Sequence, residues 1–104
     1  MKITIPTPKG AALKKKILEA VEDETLKTWE ARGDQAEHLT HKPEQWYDKV
    51  LLGFTVTKTA LEIDTYWWKG NVPDEDVKGY YIGRFTEALL VHFRDDFETF
   101  TISK

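Results

Sequence analysis

The chain of 104 residues contains no cysteine and a single serine, Ser103. The first absence excludes disulfides, thiolate nucleophiles and cysteine metal sites, and it agrees with a reducing compartment. The second leaves a serine triad almost nothing to be built from, and nothing marks a threonine that processing would free as an N-terminal nucleophile. Long apolar runs are also missing. None approaches the roughly 18 to 20 residues that span a bilayer, and MKITIPTPKG lacks the apolar core of a signal peptide, so no membrane partner and a cytoplasmic location are expected. There is no GxxxxGK[ST] loop and no GxGxxG turn, and no cofactor is expected.

A marked excess of positive charge is confined to one segment. Residues 1–16 carry Lys2, Lys9, Lys14, Lys15 and Lys16 with no acid, whereas residues 17–41 carry seven acids against Lys27 and Arg32. Residues 61–83 carry five acids against Lys69 and Lys78, and the whole chain has a net charge of -3. Without a sustained basic stripe the chain is poorly suited to binding nucleic acid, where affinity comes mainly from neutralised phosphates. The lysine cluster reads as the solvated face of a first helix.

The remaining composition, 40% hydrophobic and 12% aromatic, is that of an ordinary globule. A chain of this length forms one domain, residues 1–104, and removes roughly 60 to 68% of its unfolded surface from water. KITI alternates as a short strand stopped by Pro6 and Pro8. From about Lys9 to Val21, Leu13, Ile17, Ala20 and Val21 recur at helical spacing. TLKTWEAR fits either a continuation of the helix after a break at EDE or a strand, and the strand is preferred; Gly33 ends it in both cases. DQAEHLTHKPEQW has no period and reads as loop with at most a short strand.

The clearest signal lies at residues 50–68. Val50, Leu52, Phe54 and Val56 share one face, as do Leu61, Ile63, Thr65 and Trp67. A hairpin in which opposed residue numbers sum to 117 brings both apolar faces together, closed by a two-residue turn at Lys58-Thr59 or by a four-residue loop in the same register. On this reading Trp67 points into the core. Glu62, Asp64, Tyr66 and Trp68 share the other face, where Gly53 leaves open space beside Asp64. A second helix follows Pro73, with Val77, Tyr81, Phe85, Ala88, Leu89 and Phe93 on one side and Gly79, Gly83 and Leu90 on its back. FETFTIS closes the chain as a strand with Phe100 and Ile102 inward. The expected architecture is α+β, with two helices packed on one face of a mainly antiparallel sheet of four to five strands.

Candidate chemistry is thin. On a helix His38 and His41 would share a face and could take a metal with His92, but on a strand they point apart, and no metal site is expected. His92 falls on the apolar face of the second helix, as a half-buried imidazole rather than a catalyst. Glu62 and Asp64 beside Tyr66 and Trp68 resemble the carboxylates and stacking rings of a glycosidase only in residue type, because a flat sheet face offers no cleft. No catalytic residue is assigned.

The expected function is therefore that of a small acidic, non-catalytic interaction module. It would bind a protein with a basic surface, in the manner of an inhibitor, immunity or antitoxin-like protein, through Glu62, Asp64, Tyr66 and Trp68. Gly79, Gly83 and Leu90 would offer a second contact, to a copy of the chain or to another protein. The rival is a small-ligand binder or enzyme with a site between helix and sheet involving His92. An open aromatic face favours the module; cover by residues 34–47 and a closed cavity favour the rival.

Overall fold

The computed structural model describes residues 1–33 and 37–104. Its elements run β1 (Lys2–Pro6), α1 (Gly10–Glu22), β2 (Trp29–Arg32), β3 (His38–His41), β4 (Leu51–Val56), β5 (Ala60–Tyr66), α2 (Glu75–His92), a 3-10 turn (Arg94–Asp96) and β6 (Thr101–Ser103). The fold is α+β, and all pairings in the sheet are antiparallel, in the order β2-β3-β4-β5-β1-β6. Six strands replace the expected four to five. The count rises because TLKTWEAR supplies β2 and EHLTH supplies β3, each only four residues long. Strands so short carry too few alternations to be told from loop.

One face of the sheet makes the core. Ile3, Ile5, Leu39, Leu52, Leu61 and Ile63 project to the same side and form one buried cluster with Leu13 and Ile17 of α1 and Tyr81, Phe85 and Leu89 of α2. Trp29 joins this core edge-on to Tyr81 and Phe85, with ring centroids 5.9 and 5.3 Å away. Tyr81 is fully buried, and its hydroxyl donates to the Trp46 carbonyl and lies 3.1 Å from Thr40 Oγ1. A buried phenol needs such partners, and here they tie α2 to the β3–β4 connection.

The hairpin has the expected register: Leu51 opposes Tyr66, Phe54 opposes Ile63 and Val56 opposes Leu61. The turn needs neither Gly nor Asn. Thr57 N–H donates to the Ala60 carbonyl at 2.9 Å, while Thr57 Oγ1 accepts from Ala60 N–H at 3.0 Å, so a side chain closes the loop in place of a backbone carbonyl.

Four inward assignments are corrected. Val56, the last residue of β4, is 41% exposed. Trp67 is 39% exposed, because β5 ends at Tyr66 and β4 starts at Leu51, leaving no Val50–Trp67 pair. Its ring instead lies 4.6 Å from the Lys78 ammonium. Ile102 is exposed on the edge strand β6, although Phe100 packs partly against the core. His92 is exposed at the C-terminal end of α2, one position before the buried Phe93.

Candidate functional site

The face of the sheet opposite the helices carries the residues of interest. Arg32, His38, Gly53, Asp64, Lys2 and Ser103 lie in one row across all six strands. Gly53 does not leave a vacancy beside Asp64. A Cβ there would come within 2.5 Å of Tyr66 Cε2 and 3.1 Å of His38 Cδ2, so the Tyr66 ring occupies that space, edge-on to His38. Glycine is needed for the close approach of the ring.

The carboxylates of this face are partly spent on the fold. Glu62 receives Lys2 Nζ at 3.0 Å, and this hydrogen bond, with the charges of Glu62 and Asp64, holds the Lys2 ammonium above its ordinary pKa. Asp64 Oδ1 accepts from Thr65 N–H at 2.8 Å. Both acids are half-buried. They frame the face more than they project from it.

The aromatic residues stay open. Tyr66 is 43% exposed, Trp68 44% and Tyr47 40%. Trp68 lies past the end of β5 and Tyr47 in the β3–β4 connection, and the Arg32 guanidinium stands 5.9 and 5.7 Å from their ring centroids. Arg32 is held there by Asp48 at 3.0 Å. Asp48 has φ 58°, a left-handed conformation that Asp tolerates better than most residues, and its N–H donates to Thr40 Oγ1 at 2.9 Å. Hydrogen bonding to Glu30 raises the Tyr47 hydroxyl above the usual phenol range.

Beyond this cluster the connections 43–49 and 67–74 border a groove of about 520 Å³, lined by Trp46, Tyr47, Trp68, Val72 and Val77 with Asp48, Lys49 and Asp74 at its polar positions. Asp74 caps α2 by position, but its side chain makes no capping bond. Asp74 is exposed, next to the exposed Glu75 and Asp76.

Of the sequence-predicted partner residues, Glu62, Asp64 and Tyr66 share one face as expected, and Trp68 turns from its end towards Arg32. Gly79, Gly83 and Leu90 lie on α2, on the other side of the sheet, and form a separate strip. Gly83 and Leu90 are exposed, and a Cβ at Gly83 would meet nothing within 4 Å. Of the alternative cover by residues 34–47, Tyr47 stands beside Arg32 at the edge of this face, whereas Trp46 turns away and stacks on Tyr80 at 3.9 Å; residues 34–36 lie outside the described residues. Val72 and Asp74 had no signal beyond the acidic run that opens α2.

The three histidines do not converge. His38 faces Tyr66, His41 faces the core with its ring 4.7 Å from Trp29, and His92 ends α2. Among the described residues no cluster of His, Asp or Glu has the arrangement of a metal site. No family model, no curated protein and no solved structure matches the chain. Its function has to be argued from these surfaces.

Proposed function

We propose that the chain is a non-catalytic interaction module that binds a protein with a basic surface, of the inhibitor, immunity or antitoxin-like kind. The contact is centred on the groove between residues 43–49 and 67–74 and extends over Tyr66 on the adjoining sheet face. The observation that carries this reading is the group of Tyr47, Tyr66 and Trp68, each about two-fifths exposed, beside an exposed Val72 and the carboxylate of Asp74. Large rings left in water at one place are enriched at interface hot spots, and surrounding acids select and steer a cationic partner. The chain's own Arg32, 5.7 Å from the Tyr47 ring and 5.9 Å from the Trp68 ring, supports the reading that these rings suit cationic neighbours.

The test compares the immobilised protein with a Tyr47→Ala, Trp68→Ala variant whose far-ultraviolet circular dichroism is unchanged. Extract of the source cell should yield a basic protein that the wild type retains and the variant loses by about tenfold or more, equivalent to about 1.4 kcal/mol. Retention should weaken as salt is raised. Equal retention by both proteins, or retention insensitive to salt, would contradict the proposal.

A further inference from the structure

A second groove, of about 460 Å³, lies on the helix side of the sheet and shares no lining residue with the first. Trp29 and His41 come from the strands, Tyr80, Arg84, Glu87, Ala88 and His92 from α2. Its charged positions are two cations, Lys27 and Arg84, against one carboxylate, Glu87. That balance is opposite to the net charge of the chain. Arg84 lies 5.2 Å from the Tyr80 ring centroid and 3.6 Å from Glu87, both on the helix surface, so its guanidinium is not committed to the core.

His41 is the unusual member. It is 4% exposed, among Trp29, Tyr80 and Tyr81, and its Nδ1 is sealed without a hydrogen-bond partner. Buried polar atoms are nearly all paired, so the state of this ring calls for a physical reason. Burial, and then the charge of Arg84, lower its pKa, which makes the ring neutral at pH 7. An orphaned N–H is rarer and costlier than an orphaned lone pair. The proton therefore belongs on Nε2, which is not among the sealed atoms. The imidazole is left as an N–H donor in a groove that also holds a guanidinium.

We infer that this groove is a binding site for a small aryl carboxylate, with the carboxylate accepting from His41 Nε2–H and Arg84 and the ring lying against Trp29 and Tyr80. The volume is within the range of small-ligand sites, roughly 300 to 1,000 Å³. An N–H donor and a guanidinium lining one groove, with the Trp29 and Tyr80 rings beside them, match this ligand class better than a cation or a neutral sugar. His92 is exposed and lines the same groove, so the rival reading of a ligand site between helix and sheet is placed by this inference around His41 rather than His92.

Benzoate is the probe, and the whole protein is observed by NMR through the imidazole of His41 and the indole N–H of Trp29. Benzoate should shift both signals saturably and raise the His41 pKa, since a carboxylate stabilises the imidazolium and the linkage is reciprocal. Benzamide, neutral and of the same shape, should do neither. Arg84→Gln, a change at an exposed position, should keep the wild-type backbone amide dispersion, raise the His41 pKa of the free protein by removing the Arg84 charge, and weaken benzoate binding by about tenfold or more. The inference is overturned by any of three results: no saturable shift, an equal response to benzamide, or undiminished binding in the Arg84→Gln protein. None of them bears on the partner-binding groove, where benzoate should leave the Trp68 indole signal unmoved.

Discussion

At the residue scale, three of the four tryptophans divide by position relative to strand ends, and the fourth, Trp46, stacks on Tyr80 from the β3–β4 connection. Trp29 sits within β2 and is buried, whereas Trp67 and Trp68 follow the last residue of β5 and each has a cationic neighbour instead of a core. Trp29→Ala should therefore cost about 3 to 5 kcal/mol in denaturant unfolding. Trp67→Ala and Trp68→Ala should each cost about 1 kcal/mol, the scale of an exposed cation–ring contact. His41 adds a pH dependence. Its folded-state pKa is below the unfolded value of 6.5, under burial and the Arg84 charge, with Tyr80, Tyr81 and Trp29 as its other neighbours. The unfolded chain thus binds more protons there, and stability is full above pH 6.5 and falls as pH drops from there towards the folded pKa. Unfolding midpoints measured from pH 8 to 5 should show this decline, and His41→Phe should remove the part due to this residue.

At the element scale, long periodic segments were legible and short ones were not. The hairpin register could be read because Leu52, Phe54, Leu61 and Ile63 come together only in one parity, and both helices because Leu13, Ile17, Tyr81 and Phe85 repeat at the right spacing. The same parity argument failed at Trp67, because alternation says nothing about where pairing stops. His41 became visible as a core residue only once HLTH was a strand, sharing its inward side with Leu39 opposite Trp29 and Ala31. The partner groove was illegible for another reason: its walls come from two connections, and no local pattern encodes their meeting. Helix α2 runs from Glu75, so Gly79 and Gly83 are interior to it, and neither has positive φ. Gly83→Ala should then stabilise the isolated protein by about 0.8 to 1 kcal/mol, since the added methyl meets open space. The thermal midpoint should rise by roughly 4 to 8 °C, read by calorimetry.

At the scale of the molecule, the chain presents three unlike surfaces, an aromatic one opposite the helices, the groove beside His41, and a small-residue strip on the back of α2. For the strip we propose self-association, supported by Leu90 at 49% exposure and its exposed neighbour Val91. Sedimentation over a range of concentrations should show a mass that rises with concentration and reverts to monomer in Leu90→Glu; a monomer at every concentration would leave the strip without a role in dimers. No helix among the described residues is long and apolar enough to cross a membrane. The order of the strands has a consequence for how the chain reaches this form. Strands β2 to β5 pair with sequence neighbours, but β1 is inserted between β5 and β6, and its ion pair from Lys2 to Glu62 spans 60 residues. Bringing such distant segments together costs loop-closure entropy before any contact compensates. The meander is accordingly expected to form before β1 docks, and pulse-labelled amide exchange during refolding should protect β4 and β5 ahead of Ile3 and Ile5.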